Sequence, residues 1–120
     1  MKKSILIYDD DVDILEICSI IIRMKGYDVV CKSNCNDVIA DIEEHKPSAI
    51  LMDNWLPDIG GVQAVQLIKK SEHKHIPVIF FTANTEATEL ARKAGADFLL
   101  KKPFDVSELE DMLQAATAKG

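Results

Sequence analysis

The sequence predicts an α/β protein built on a parallel sheet, and three observations support that prediction. Short, continuously apolar segments alternate with longer segments of helical periodicity, and five such pairs follow one another along 120 residues. Strands that are apolar throughout are typical of a sheet covered by helices on both faces. The sequence has no internal repeat and no low-complexity tract, so we expect a single domain over residues 1–120.

The first two strand–helix pairs are predicted from changes in the spacing of apolar residues. Ser4–Tyr8 is β-branched and bounded by acidic residues, which indicates a buried strand. A helix over Val12–Lys25 ends at Gly26, and a second strand follows over Tyr27–Lys32. The apolar face of the first helix is predicted to consist of Ile14, Ile17, Cys18 and Ile21. The second helix repeats this spacing in Cys35, Val38, Ile39 and Ile42 and is closed by Pro47.

The central part of the chain predicts two more strands, separated by a loop and a helix. Ala49–Met52 is the third strand, and it ends at Asp53. The segment Trp55–Gly61 contains proline, aspartate and a glycine pair, which favours a loop. A helix is predicted over about Val62–Lys70, and the fourth strand is Val78–Phe81.

The C-terminal part predicts a fourth helix, a fifth strand and a last helix. The fourth helix is closed by Gly95, and its apolar residues are Ala87, Leu90, Ala91 and Ala94. Phe98–Leu100 is the fifth strand. The last helix is predicted to open with a capping box formed by Ser107 and Glu110, whose side chains would pair with backbone N–H groups of the first turn. Its apolar face is Leu109, Met112, Leu113 and Ala116.

Charge, hydropathy and cysteine content argue against several classes of protein. The formal net charge is −6, from 20 acidic and 14 basic residues, whereas nucleic-acid-binding domains usually carry a basic surface. No apolar stretch is long enough to cross a membrane, and no signal peptide precedes the acidic segment Asp9–Asp11. The 3 cysteines include no C-x-x-C pair, which fits a reducing compartment. We therefore expect a cytoplasmic protein that neither binds nucleic acid directly nor inserts into a membrane.

Polar residues follow four of the predicted strands at their carboxyl ends, where a parallel sheet places its functional crevice. They are Asp9, Asp10 and Asp11 after the first strand, Asp53 after the third, Thr82 after the fourth, and Lys101 and Lys102 after the fifth. Crowded carboxylates repel one another unless a cation is present, and Mg²⁺ suits an oxygen-rich site that also receives a phosphate. Lysine supplies positive charge to that phosphate, and threonine supplies a directional hydrogen bond. These are the parts of a phosphoryl-transfer site in which a carboxylate can be the nucleophile.

The same residues resemble the receiver domain of two-component response regulators over about residues 3–117. The resemblance rests on Ile5–Asp11, on Leu51–Asp53 with Pro57 and Gly61, on Phe81–Ala83, and on Gly95–Asp97 leading to Lys102–Phe104. Each motif stands at a predicted strand end. The resemblance implies a (βα)5 doubly wound, flavodoxin-like three-layer sandwich with a five-stranded parallel sheet in the order 2-1-3-4-5.

The resemblance also implies a role for each site residue. Asp53 would be the phosphoacceptor and would take its phosphoryl group from a histidine kinase or a histidine phosphotransfer protein. The implied Mg²⁺ ligands are Asp9, Asp10, Asp53 and the backbone carbonyl of Trp55. Lys102, which usually precedes a cis bond to Pro103 in this family, would pair with the phosphoryl oxygens, and Thr82 would turn toward them. The chain would then be a signalling phosphoacceptor and not an enzyme. Its fourth helix, fifth strand and fifth helix would move to engage a downstream protein target.

Three alternatives remain at the level of sequence. We expect a stand-alone receiver, because no linker or effector follows the last predicted helix, and the alternative is the receiver fragment of a longer regulator or hybrid kinase. Receivers often dimerise through the fourth and fifth helices when phosphorylated, so a homodimer stands beside the monomer. The more distant alternative is a small Mg²⁺-dependent aspartyl phosphatase, but such enzymes need a second aspartate two residues after the first, where this chain has Trp55.

Several residues depart from the family pattern or suggest a further role. Leu99 stands where the family commonly carries an aromatic residue, and strand alternation predicts that Phe98 points to the other face of the sheet. Trp55 is predicted to slow hydrolysis of a phosphoryl group on Asp53, and the alternative is an exposed loop tryptophan that packs on the adjacent helix or binds a partner. His73 and His75 raise the question of a metal site, but without a recognised acidic or cysteine partner they indicate a solvated loop.

Overall fold

The structure, a computed structural model, describes residues 2–54 and 56–118, and within them five strands alternate strictly with five helices. The elements are β1 (Ser4–Tyr8), α1 (Val12–Met24), β2 (Asp28–Lys32), α2 (Val38–His45), β3 (Ala49–Asp53), α3 (Gly61–Lys69), β4 (Val78–Thr82), α4 (Thr85–Ala94), β5 (Phe98–Lys101) and α5 (Val106–Ala118). The strands form one parallel sheet in the order β2-β1-β3-β4-β5. The predicted fold class and strand order are confirmed.

The sheet separates two apolar cores, because successive residues of each strand point to opposite faces. The first core lies between the sheet and α2, α3 and α4, and its central strand residues are Leu6, Ile50, Met52 and Phe80. The second core lies between the sheet and α1 and α5, and its central strand residues are Ile5, Ile7, Leu51 and Phe81. Both layers of helices are thereby attached to the same strands, whose carboxyl ends meet at one edge.

The N-terminus of α5 differs from the sequence prediction. Its capping box is formed by Asp105 and Glu108, not by Ser107 and Glu110. The Glu108 N–H donates to Asp105 Oδ1 at 2.8 Å, and the Asp105 N–H donates to Glu108 Oε1 at 3.2 Å. Ser107 donates its hydroxyl to the same Asp105 carboxylate. An aspartate accepts such bonds as well as a serine does, so the helix begins earlier than Ser107.

Three apolar residues assigned to helix faces by spacing, Cys35, Ile17 and Leu90, have positions that differ from those predicted. Cys35 precedes α2 and is buried there, where its Sγ donates to the Ile59 carbonyl oxygen at 3.1 Å. Cys31, on the edge strand β2, is exposed. Ile17 of α1 and Leu90 of α4 are 55% and 54% exposed, so neither contributes to a core.

Helix α1 presents an apolar surface to solvent. Ile17, Ile20 and Met24 share one face at helical spacing, and each is more than half exposed. We call these three residues the α1 apolar surface. Among the described helices, including α1 with its 13 residues, none has the length and apolar character needed to span a membrane.

The turn after α3 is fixed by Lys69. Its ammonium group donates to the carbonyl oxygens of Lys74 and Ile76, both at 2.9 Å, and to Asp97 Oδ2 at 2.7 Å. The same Asp97 oxygen accepts the Val78 N–H at the start of β4. One mostly buried lysine therefore joins α3, the following turn and the segment that leads into β5.

Candidate functional site

The carboxyl ends of β1 and β3 bring Asp9 and Asp53 together around Lys102. Lys102 Nζ lies 2.8 Å from Asp53 Oδ1 and 3.2 Å from Asp9 Oδ2. Both carboxylates are almost completely buried, and the lysine comes from a segment 49 residues beyond Asp53 in the chain. The sequence prediction that these residues meet at one edge of the sheet is confirmed.

Asp10 completes a group of three carboxylates at this edge. One oxygen each of Asp9, Asp10 and Asp53 lie within 4.8 Å of one another, and Asp10 is exposed whereas the other two are buried. Asp11 is separate from the group and caps α1 by accepting the N–H groups of Asp13 and Ile14. An oxygen-rich, partly open cluster of this kind is suited to a hard divalent cation that keeps part of its hydration.

Burial governs the protonation of the two inner carboxyls. It raises the pKa of Asp53, and the neighbouring Asp9 charge acts in the same direction, although Lys102 opposes both. Burial likewise raises the pKa of Asp9 against the hydrogen bonds from Asp11 and Lys102. For Lys102, burial acts to lower the pKa, but the contacts with Asp53 and Asp9 outweigh it and the net shift is upward. The lysine is therefore cationic, and the carboxylates hold their charges at a cost that a further cation would relieve.

Lys102 is held on its other side by an aromatic ring and by the backbone. Its Nζ lies 4.6 Å from the centroid of the Phe81 ring, and that ring packs edge-on against Phe104. The Lys102 N–H donates to the Thr82 carbonyl oxygen at 3.1 Å, and the expected cis bond to Pro103 is present. The ammonium group is thus directed at Asp53 from a constrained position.

Thr82 lies at the end of β4, beside the strand residue Phe81 that pairs with Asp53. Its hydroxyl oxygen accepts the N–H of Asn84 at 3.1 Å. Asn84 in turn caps α4, because its side-chain oxygen accepts the Ala87 N–H at 3.2 Å. The hydroxyl predicted for the site is therefore connected directly to the first turn of α4.

Gly61 defines the loop beyond Asp53. A Cβ at this position would overlap the backbone carbonyl of Asp53, and the Gly61 N–H donates to the Asn54 carbonyl at 3.2 Å. The loop can fold back on the end of β3 only because residue 61 has no side chain. The predicted ligand carbonyl of Trp55 lies outside the described residues, and so does the Trp55 side chain.

The sequence analysis missed two contributors to the site. The position of Phe81 beneath Lys102 follows from strand alternation, but an apolar strand residue gives no signal of contact with a cation. The second is a cavity of about 400 Å³ bounded by Lys102, Phe104 and the α1 residues Ile14 and Ile17. Ile17, expected in the core, lies at the surface and lines this cavity.

The predicted alternation of Phe98 and Leu99 is confirmed. Leu99 packs against the first core, whereas Phe98 packs against the second. Leu99 also lines a cavity of about 180 Å³ with Thr82, Thr85 and Thr88, between β5 and α4. The aliphatic side chain of Leu99 therefore lies beside Thr82, and the cavity leaves unfilled space next to it.

Comparison with known proteins agrees with this arrangement. The family model "Response regulator receiver domain" matches residues 5–114. The phosphate regulon transcriptional regulatory protein PhoB of Pseudomonas aeruginosa is 34% identical over 116 residues, which are 94% of this chain and 51% of that protein. The CAI-1 autoinducer sensor kinase/phosphatase CqsS of Vibrio cholerae is 32% identical over 108 residues, 87% of this chain but 16% of that protein. The chain thus spans about half the length of PhoB and 16% of the length of CqsS.

A solved structure extends the likeness to three dimensions. The receiver domain of the sensor histidine kinase PA1611 from Pseudomonas aeruginosa, determined with a magnesium ion in its active-site cleft, superimposes with a TM-score of 0.90. The match covers 98% of this chain and 99% of that one at 29% identity. Sequence motifs, sheet topology and the family match lead to the same result: the chain belongs to the response regulator receiver domain family.

Proposed function

We propose that this chain is a phosphorylation-dependent switch in which Asp53 receives a phosphoryl group from a phosphohistidine. The observation that carries the proposal is the position of Lys102 Nζ, 2.8 Å from Asp53 and 3.2 Å from Asp9. This arrangement holds a buried carboxylate next to a fixed cation at the open edge of a parallel sheet. Such an arrangement can accept a group that carries more negative charge than the carboxylate itself.

The transfer forms one bond and breaks another. A carboxylate oxygen of Asp53 bonds to phosphorus while the P–N bond to the donor imidazole breaks. The electron pair of that bond stays on the imidazole nitrogen, which takes up a proton. Lys102 stays close enough to pair with the phosphoryl oxygens, so that its charge, now shared between Asp53 and Asp9, stabilises the negative charge that builds up during transfer.

We further propose that Asp9, Asp10 and Asp53 hold Mg²⁺. Their grouping within 4.8 Å, the burial of two of them and the absence of sulfur or nitrogen donors from this carboxylate cluster fit a hard cation. The bound ion would supply positive charge to the phosphoryl oxygens, in addition to that of Lys102. The PA1611 receiver, similar over almost its whole length, supports this choice. Trp55 stays a predicted backbone ligand.

Thr82 is the proposed link between the site and α4. In the unphosphorylated structure its hydroxyl accepts the Asn84 N–H. A phosphoryl group on Asp53 offers that hydroxyl a stronger acceptor, so we expect Thr82 to donate to it and to release Asn84. Because Asn84 caps α4, the first turn of this helix would then change position beside the cavity that separates it from β5, and the α4–β5–α5 face would become the surface that a downstream protein recognises.

The α1 apolar surface is consistent with a protein as phosphoryl donor. It lies next to the cavity that ends at Lys102, and both are bounded by Ile17. A histidine on a helix of the donor could therefore approach Asp53 while apolar side chains of that helix cover α1. We propose a histidine kinase or a histidine phosphotransfer protein as this partner, acting in the cytoplasm.

Two relatives indicate how receivers of this family are used. In CqsS the matched segment is a small part of a sensor kinase/phosphatase, and in PhoB it is about half of a transcriptional regulatory protein. We propose that this chain acts as a signalling phosphoacceptor, whether alone or attached to another domain, and does not turn over an external substrate. If the chain forms a homodimer when phosphorylated, we propose that the two copies pair through α4 and α5.

The test is to incubate the protein with Mg²⁺ and a small acyl-phosphate donor and to measure its intact mass. We expect one added phosphoryl group, which EDTA and Asp53→Asn abolish and which Asp111→Asn, an exposed control on α5, leaves unchanged. A phosphohistidine-bearing protein is the donor in the second arm, so that a receiver selective for its partner's helix is also detected. Modification that persists in Asp53→Asn, or failure of both donors to modify the folded wild type, would contradict the proposal.

A further inference from the structure

A second group of metal-ligating side chains lies at the opposite end of the sheet, where the strands begin. Glu43 comes from the last turns of α2, and Glu72 and His73 come from the turn after α3. One ligand atom of each lies within 4.8 Å of the others. From the sequence, His73 has no recognised acidic partner in a solvated loop; the segment is a turn, but Glu43 approaches His73 from 30 residues away. We call these three residues the Glu43–Glu72–His73 cluster.

The imidazole of His73 has a defined position in this cluster. Its side chain is 17% exposed. The His73 N–H donates to Ser71 Oγ at 3.0 Å, and its carbonyl accepts the Ile76 N–H, also at 3.0 Å. The turn is in addition held by Lys69 through the Lys74 and Ile76 carbonyls. The ring is therefore presented by an ordered turn, and a ligand would not have to immobilise it first.

The distances suit a tetrahedral transition metal. Zinc bonds to nitrogen and oxygen are about 2.0–2.1 Å long, which places neighbouring ligand atoms of a tetrahedron about 3.4 Å apart. His73 Nε2 lies 3.3 Å from Glu43 Oε2 and 3.8 Å from Glu72 Oε1. The first distance fits directly. The second requires a small rotation of Glu72, whose side chain is 80% exposed and can move.

The donor set separates this cluster from the site around Asp53. Imidazole nitrogen and carboxylate oxygen are both zinc ligands, whereas Mg²⁺ prefers oxygen alone. The cluster lines a cavity of about 430 Å³ together with His75, Lys46 and the apolar residues Ile42 and Pro47. The cavity has room for a water molecule or His75 as a fourth ligand. Lys46 adds positive charge there, so we expect weaker binding than in a site closed by four protein ligands.

We propose that Glu43, Glu72 and His73 form a site for a divalent transition metal of the zinc class. A metal bound there joins α2 to the α3–β4 turn, two elements of the layer that contains α4. The proposal does not depend on phosphorylation of Asp53, and either can be correct without the other. Metal binding requires the neutral imidazole, since a protonated His73 can only form ion pairs with the two glutamates.

The test is a calorimetric titration of the Mg²⁺-saturated protein with Zn²⁺. Saturating Mg²⁺ covers the carboxylates around Asp53, and a Cys31→Ser background removes the exposed thiol as a competing ligand. We expect one Zn²⁺ per chain, at least tenfold weaker binding in His73→Gln and in Glu43→Gln, and unchanged binding in the matched controls His45→Gln and Glu44→Gln. The controls lie next to the cluster on α2 but outside it.

Thermal denaturation, as a second measurement, shows whether the variants are folded. Zn²⁺ should raise the thermal midpoint of the wild type and of both controls but not that of His73→Gln, whose midpoint without zinc should equal that of the wild type. Absence of saturable Zn²⁺ binding in the wild type would overturn the proposal. Undiminished zinc binding by folded His73→Gln would overturn the proposal as well. A loss of zinc binding in Asp53→Asn would also overturn it, because the metal would then be bound at the other site.

Discussion

Gly61 packs so closely against the backbone carbonyl of Asp53 that a methyl group at residue 61 would overlap it. Gly60, its neighbour, is different, because a Cβ there would come no closer than 3.9 Å to the Asn54 carbonyl oxygen. The two adjacent glycines therefore form a matched pair. Gly61 sets the path of the chain beyond Asp53, and Gly60 has space around it.

The first prediction uses this pair. Gly61→Ala should lower the free energy of unfolding by about 1–3 kcal/mol, as overpacking typically does, and should also displace Asp53 from Lys102. We expect slower phosphorylation by an acyl phosphate as a result. Gly60→Ala should leave both properties close to those of the wild type. Urea denaturation and intact-mass kinetics measure the two effects, and equal behaviour of the two variants would contradict the prediction.

The second prediction separates phosphoryl transfer from metal binding at Lys102. Lys102→Met should slow phosphorylation of Asp53 by about a hundredfold, the usual effect of removing one group that stabilises developing negative charge. The same variant should bind Mg²⁺ more tightly, because a cation that contacts both Asp53 and Asp9 has been removed. Lys101→Met, at the neighbouring exposed position, is the control. Weaker Mg²⁺ binding by Lys102→Met in a calorimetric titration would refute this account.

The third prediction concerns pH. Burial raises the pKa of Asp9 and of Asp53 in the folded chain, so the folded state binds protons more tightly than the unfolded state does. Without divalent metal, the contribution of these groups to stability is therefore present below the usual carboxyl pKa and is lost as pH rises through the raised values. Mg²⁺ should reverse this loss, and its affinity should fall as the pH is lowered through the same range. Denaturation series at several pH values, with and without Mg²⁺, measure both effects.

Asp9→Asn provides the control for that series. It removes one of the two titrating groups, so the decrease of stability with pH should be shallower than in the wild type. Asp111→Asn, on the exposed side of α5, should leave the slope unchanged. A slope that Asp9→Asn does not alter would mean that other groups determine the pH dependence.

The fourth prediction concerns the hydrogen bonds of Lys69. Lys69→Met should destabilise the chain by about 1–3 kcal/mol, because it removes the ammonium donor from the part-buried Ile76 carbonyl, the Lys74 carbonyl and Asp97. In a double-mutant cycle, Asp97→Asn should cost less in the Lys69→Met background than in the wild type. Lys70→Met, which changes an exposed side chain, should have little effect. Additive costs of the two changes would show that the Lys69–Asp97 contact contributes nothing of its own.

Sequence reasoning predicted the fold and the meeting of the site residues for the same physical reason. Apolar runs that alternate with helical periodicity admit few arrangements, and a parallel sheet brings the residues that follow its strands to one edge. Asp53 and Lys102 could therefore be placed together without knowledge of any distance. Strand alternation also predicted that Phe98 and Leu99 point to opposite faces of the sheet, because successive residues of a strand alternate strictly.

Contacts between segments distant in sequence were harder to predict. Nothing in the local sequence indicates that Glu43 approaches His73, because the angle between α2 and the turn after α3 depends on packing in the first core. Spacing also placed Ile17 on the buried face of α1, but in the structure that face does not include Ile17, which is exposed. The capping box of α5 was assigned two residues too late because Asp105 and Ser107 are both good caps, and local spacing does not decide between them.

Thr82 and Lys102 flank Asp53 from opposite faces of the sheet. Thr82 lines the space beside α4 and the first core, whereas Lys102 lies over Phe81 of the second core and beside α1. The phosphorylation of Asp53 that we propose would therefore reach both helical layers at once, through side chains that belong to different layers. Two outputs would then follow from one modification, and a substitution on one face would remove one of them while the other persists.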